Sequence, residues 1–357
     1  MIYYKSHQWS AFWKLNGSIF PKATPPALFG GLLALTAKVL ENLGYISLEQ
    51  SLLYNSAVYS GFSFSLSFIL VFRTSQAYNR FWSAATTANA MATQWLEAAS
   101  SLVAFATVSK EPPHLVACFK HRIVRLFSLL NATALSAITC MEHECFPVID
   151  LHAFSKSDLQ IVVQEQDQRR PDIVYQWIQL LVLQNMETGI LTVPAPILTR
   201  VFQEMGKGMV DFQAALQIMT IPFPFPYAQV TVILLSVYIL FTPFVMCIWT
   251  SNTLCASLFS FLSIVCMCSI NLIARELENP FGDDANDLPS HEWHEEFNKL
   301  LVMLLDPRTT KVPELQPGAI LSHKELAAGQ RLRTCKTVQD LFQEELHEEQ
   351  LDVSADS

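Results

Sequence analysis

The densest group of coordinating side chains directly follows the most apolar part of the chain, in the run Asn279-Pro280-Phe281-Gly282-Asp283-Asp284-Ala285-Asn286-Asp287. Asp283, Asp284 and Asp287 set three carboxylates within five residues, hard oxygen donors of the kind calcium takes. The run is not an EF-hand, because Ala285 stands where that pattern needs Asp or Asn and its glycine is missing. A cation site and a solvated turn with helix-capping aspartates both satisfy it. Just beyond, His291 and His294 lie with Glu295 and Glu296 one helical turn apart, a spacing zinc can use. The H-E-x-x-H order is absent, so a surface helix is expected there. Cys140, His143 and Cys145 lack a second ligand pair and read as a polar turn. With no Gly-rich phosphate loop, no G-x-S-x-G elbow and no nucleophile beside a base, catalytic residues are expected to be none.

A second kind of chemistry comes from spacing. Phe64, Phe68 and Phe72 recur every four residues, so on a helix they advance by only about 40° per step and form one stripe. Such a stripe suits lipid or core packing, and it also suits the lining of a pore. Ser60, Ser63 and Ser67 occupy a neighbouring face, where small residues let helices approach closely. Further along, Pro222, Pro224 and Pro226 alternate with Phe223 and Phe225 after Ile221. Three prolines in that order must break the backbone, and the last can start a new helix. A helix beginning at Pro226 would offer free N–H groups and a positive dipole end, which favour anions. An ordinary interfacial turn is the alternative.

The elements that must carry these residues are set by hydropathy. The chain is 51% hydrophobic and 15% charged, against about 25% charged in soluble domains. From Phe212 to Ala274 there is no Lys, Arg, Asp or Glu, and about 20 apolar residues suffice to cross a bilayer. Four apolar segments result, at residues 27–40, 50–72, 227–250 and 254–274. The first carries Lys38, which would have to snorkel toward an interface. Ahead of it, Lys14 and Lys22 precede an apolar stretch of signal-peptide length, but Trp9, Phe12 and Trp13 with Lys5 and Lys14 read instead as an amphipathic interfacial segment before an uncleaved span. Residues 41–49 and 250–254 lack Lys and Arg, whereas the other flanks are rich in them. The positive-inside rule then puts both termini and residues 73–226 on the cytosolic side.

Residues 73–226 are too long for a loop, and Trp95, Leu96, Ala99, Leu102 and Val103 fall at helical spacing. A cytosolic helical domain is expected, broken at Pro112-Pro113, Pro147, Pro171 and Pro194 with Pro196. The organisation is therefore an interfacial segment (1–26), two spans (27–72), the helical domain and proline-broken approach (73–226), two more spans (227–274), the carboxylate segment (275–321) and an acidic tail (322–357). The fold class is all-α, a membrane protein with four transmembrane helices. A net charge of −9 without a basic cluster argues against nucleic acid as a partner. The eight cysteines form no C-x-x-C pair and read as reduced, mostly buried thiols.

Four stretches in matching order resemble the bestrophin family. They are Lys14-Leu15-Asn16-Gly17-Ser18-Ile19-Phe20 before the first span, Phe64 to Arg73 with Tyr78 and Arg80, Ile221-Pro222 with Tyr227-Ala228-Gln229-Val230, and Glu278-Asn279-Pro280-Phe281-Gly282-Asp283-Asp284. The resemblance implies a homopentamer in the lipid bilayer that conducts chloride, bicarbonate or other small anions through a central pore. It places Phe64, Phe68 and Phe72 at the pore neck and Ile221 at the cytosolic aperture. It also places Asp283, Asp284 and Asp287 on side chains of a calcium clasp and Asn279 on a backbone carbonyl ligand, with a neighbouring N-terminus near Met1 adding another carbonyl. Ala285 and Asn286 thin the acidic run relative to animal members, and members outside animals need not be calcium-gated. Photosynthetic relatives make a bicarbonate path in an internal membrane one expectation, the plasma membrane the other. An anion secondary transporter and a non-conducting scaffold are the alternative functions, although the inverted repeats of many transporters are not visible.

Overall fold

A computed structural model describes residues 14–47, 56–139 and 146–327, and among them there is no strand. Lys5, Trp9, Phe12 and Trp13, the start of the second apolar segment, Cys140, His143 and Cys145, and the acidic tail from residue 328 on, with Cys335, lie outside the described residues. The helices run in the order α1 (Phe20–Asn42), α2 (Ser56–Thr107), α3 (Pro113–Thr139), α4 (Lys156–Gln164), α5 (Arg170–Glu187), α6 (Ala195–Thr220), α7 (Phe225–Trp249), α8 (Thr253–Glu278), α9 (Ser290–Met303) and α10 (Pro307–Thr310). Residues 311–357 form a separate unit, in which the short helix α11 (His323–Ala327) is described.

The prolines do what their chemistry requires. Pro113 opens α3, Pro171 lies in the first turn of α5, Pro194 caps α6 and Pro224 caps α7. Each stands where a missing N–H costs no helical bond.

Four helices, α1, α2, α7 and α8, are long and apolar enough to cross a bilayer. They pack as one bundle around Leu66, Leu70, Leu235, Tyr238 and Ile264. α1 approaches α8 closely because its buried face, Ala23, Ala27, Gly30, Ala34 and Ala37, is small throughout. A Cβ on Gly30 would collide with Ile264, and Ser257 Oγ donates to the Gly31 carbonyl at 2.8 Å. Lys38 does not snorkel. It is buried, with Nζ 2.7 Å from Glu41 Oε2 and donating to the Cys247 carbonyl at 2.8 Å, so its own chain supplies the counter-charge and acceptor.

The second bundle shares α2. At 52 residues and 1.5 Å per residue, that helix is about 78 Å long, well beyond a bilayer core of about 30 Å. Its second half carries buried Trp95, Ala99, Leu102 and Val103, as their spacing predicts. These residues belong to a core built with α3, α5, α6 and α9. Gly208 of α6 leaves room for Trp95, whose indole a Cβ there would strike. His294 of α9 is not on a surface: it is fully buried, donating through Nε2 to the Pro147 carbonyl at 2.8 Å and accepting at Nδ1 from Asn131 at 2.8 Å. Burial lowers its pKa and keeps the imidazole neutral. The thiols also differ from expectation. Cys247 and Cys268 are buried, Cys255 is half-buried, and Cys118 and Cys266 are exposed.

Candidate functional site

The aromatic stripe lies on a face of α2 that its own chain leaves open. Phe64 is 72% exposed, Phe68 66% and Phe72 40%. The same face continues through Ser75, Asn79, Trp82, Thr86, Asn89 and Thr93, all exposed, and these nine residues fall within about 100° of arc at 100° per residue. None is charged. The upper part of the stripe is apolar, and most of the lower part is neutral with hydrogen-bonding side chains.

At its midpoint α2 meets the proline-broken segment. α6 ends at Thr220, Ile221 is extended, and α7 starts at Phe225. Phe72 lies 5.8 Å from the Tyr227 ring, centroid to centroid, and Tyr227 lies 6.0 Å from Phe223. Ile221 is 54% exposed. The start of α7 is poorer in donors than expected. Pro226 has no N–H, and the Tyr227 and Ala228 amides both reach the Pro224 carbonyl, at 3.1 and 3.4 Å. The same prolines that break the chain thus remove much of the amide cluster that would hold an anion.

Two arginines fix this meeting point. Arg73 and Arg80 are seven residues apart, so both lie on the side of α2 away from the stripe. Arg73 is forked onto Glu278, with Nε to Oε1 at 2.6 Å and Nη2 to Oε2 at 2.9 Å. Its Nη1 donates to Asn271 Oδ1 at 2.9 Å, and its guanidinium lies 5.6 Å from the Phe223 ring centre. Arg80 donates to backbone carbonyls instead: Nε to Glu278 at 2.8 Å, Nη1 to Ile221 at 2.7 Å, and Nη2 to Ile218. Those carbonyls are the open C-terminal ends of α8 and α6, where a cation complements the helix dipole. One side chain therefore ties α2 both to the Ile221 break and to the base of α8.

The loop after α8 closes on itself. Phe281 and Leu288 are buried in the second core, and the Leu288 amide donates to the Pro280 carbonyl at 2.9 Å. Asp287 is 5% exposed and accepts from the Asp284 amide at 2.7 Å. Burial, reinforced by the neighbouring Asp284 and Glu276 carboxylates against that one hydrogen bond, pushes its pKa up to about 6. A Cβ on Gly282 would stand 2.7 Å from Asp287 Oδ2 and 2.8 Å from Asn279 Nδ2, so any larger residue would have to displace those side chains. Asp283 and Asp284 face outward.

The model for the family described as bacterial/fungal bestrophin protein matches residues 1–301. The chain belongs to the bestrophin family. Among solved structures, a bacterial bestrophin homologue from Klebsiella pneumoniae superposes with a TM-score of 0.64 at 19% identity, covering 81% of this chain and 98% of its own. A leucine-to-threonine variant of the Klebsiella pneumoniae homologue gives 0.64 at 17%, covering 81% and 99%. A proline-to-alanine variant of a membrane protein gives 0.65 at 19%, covering 79% and 98%. Among curated proteins, none matches. The family and the four apolar helices together make this an integral membrane protein.

Within this bestrophin fold the expected site residues separate into two groups. Phe64, Phe68 and Phe72 share one open face of α2; Phe72 meets Tyr227, and Arg80, about two turns further along, holds the Ile221 carbonyl. Among the described residues no three His, Cys, Asp or Glu side chains form a group that could hold a metal ion; of the expected calcium ligands Asp287 is buried beside Asp284, while Asp283 and Asp284 are exposed. The Met1 carbonyl lies outside the described residues. Arg73, Arg80 and Glu278 are the functional residues missed as such by sequence reasoning. Their signal was the seven-residue spacing of two arginines directly below an uncharged segment.

Proposed function

We propose that the chain is one subunit of a homopentameric, passively conducting anion channel. The observation that carries this reading is the uncharged stripe from Phe64 to Thr93 on α2, left open by its own chain in a family of anion channels. Repeated about a symmetry axis, the stripe forms a lining with no carboxylate to repel an anion. Phe64, Phe68 and Phe72 narrow the path and strip part of the hydration shell, the positive ring edges facing the ion. Below them, Ser, Asn and Thr groups supply neutral donors that hold chloride or bicarbonate only weakly, which lets the ion leave. Ile221 forms the cytosolic aperture, its carbonyl turned away into Arg80.

The test is current across a liposome membrane containing the purified chain. Anion-selective current that saturates weakly and needs no coupled gradient is expected. Changing Phe64, Phe68 and Phe72 together to Ala should widen and wet the neck, raising conductance several-fold in the sense of a lost dewetting barrier. Unaltered conductance in that variant removes the stripe from the path. Gradient-coupled flux without current would identify a transporter instead. Cross-linking in detergent checks the pentamer.

A further inference from the structure

Beside the residues expected to hold calcium, Glu276, Asn286 and Lys22 make contacts with a pattern of their own. Glu276 is in the last turn of α8 and Lys22 in the first turn of α1, each at the helix end whose dipole disfavours its charge. The two ends meet. Lys22 Nζ lies 2.9 Å from Glu276 Oε1 and 3.9 Å from Asp284 Oδ1. Glu276 Oε2 accepts from Asn286 Nδ2 at 3.1 Å, and the same amide group donates to the Gly17 carbonyl at 2.8 Å. The Glu276 side chain is only 14% exposed, so its charge is partly desolvated and needs these partners.

We propose that Lys22 is a built-in cation which, together with the Asn286 amide, latches the loop after α8 onto the start of α1 without a divalent ion. Calcium requires six to eight oxygens at about 2.3–2.6 Å. Here Glu276 is taken by Lys22 and Asn286, Glu278 by Arg73, and one Asp287 oxygen by the Asp284 amide. An ammonium supplies one positive charge and three donors at a single point, which suits one carboxylate pair where calcium would need a cage. Asn286 supplies a neutral donor where a further carboxylate would have required a stronger counter-charge. The latch depends on ionic strength and not on calcium concentration. It stands on the fold alone and does not rest on the proposal of conduction.

The experiment is hydrogen–deuterium exchange of the full chain in detergent, following peptides across residues 15–24 and 279–289, in a chelator and in about 1 mM calcium, above the range of sensor sites. The wild-type protection is expected to be the same in both. Lys22→Gln should raise exchange in both segments about two- to fivefold, with or without calcium, as loss of a pair between an exposed lysine and a shielded carboxylate does. The exchanged pair Lys22→Glu with Glu276→Lys should restore most of the protection, which separates the latch from general damage to the fold. Calcium-dependent protection in the wild type overturns the proposal. Unchanged exchange in Lys22→Gln overturns it as well.

Discussion

The two sides of α2 near its midpoint carry opposite chemistry. On one, Phe64, Phe68, Ser75 and Asn79 are exposed and uncharged. On the other, about half a turn around the helix, Arg73 and Arg80 are almost saturated with acceptors: a carboxylate, an amide oxygen and three backbone carbonyls. The exposed face has no job in holding a single chain together, so its composition is available for contact with other copies, water or ions. The arginine face has the reverse role. It fixes the angle at which the uncharged face is presented, because the end of α6 and the base of α8 both reach α2 there. A change on the first face should therefore move transport without moving stability, and a change on the second should do the opposite first.

The largest effect is expected from Arg80→Met. It removes the donors from three carbonyls at once, all at the C-terminal ends of α6 and α8, and should cost about 3 kcal/mol. Thermal unfolding in detergent measures this against Phe64→Ala, which should change stability by less than about 0.5 kcal/mol unless the stripe is packed between subunits. Equal losses in the two variants would erase the contrast between the faces. Arg73→Lys sharpens it further: the charge remains while the fork onto Glu278 is lost, and an intermediate loss is expected.

A smaller but cleaner separation comes from Ile221→Ala. Arg80 holds the carbonyl of this residue and not its side chain, and the side chain is more than half exposed. The joint should survive, with stability within about 0.5 kcal/mol of wild type, while the relative permeability of chloride and bicarbonate shifts in a bilayer recording. A large drop in melting temperature with no change in permeability would assign Ile221 to the joint and not to the path.

What was legible in the sequence follows the same division. Phe64, Phe68 and Phe72 announce their face by spacing, and the prolines at 222, 224 and 226 announce a break, because both signals are local. The joint is not local. Arg73 meets Glu278 across 205 residues, and Arg80 reads carbonyl groups, which every residue has and no sequence pattern marks. Burial was misread for the same reason: His294 looks like a surface histidine until Asn131 and the Pro147 carbonyl are brought to it. Lys38 likewise needs Cys247 and Glu41 to explain its place. The small face of α1 was not read from the sequence, and only the nearness of Ile264 shows that a Cβ at Gly30 would have to displace that side chain. The calcium expectation came from the resemblance, since Asp283, Asp284 and Asp287 by themselves suit a turn as well as a cation site; that the Asp284 amide holds one Asp287 oxygen is visible only in the structure.

The loop after α8 lies between these extremes, and Asp287 tests how far it resembles the saturated joint. Arg73 gives Glu278 a full counter-charge, whereas Asp287 is buried with one backbone donor and two like charges near it. Its folded pKa, about 6, lies above the ordinary aspartate value of 3.8. The folded state therefore binds the proton more tightly, so this group's stabilising contribution is fully present below about pH 3.8 and is lost as pH rises through about 6. Asp287→Asn keeps an oxygen for the Asp284 amide and carries no charge at any pH. Relative to wild type it should gain stability between those two values and hold the gain above them, about 2 °C in melting temperature at pH 8 and close to zero at pH 4. A loss of stability that grows as pH rises would mean that Asp287 is paired as fully as Glu278, and the loop would then belong with the joint.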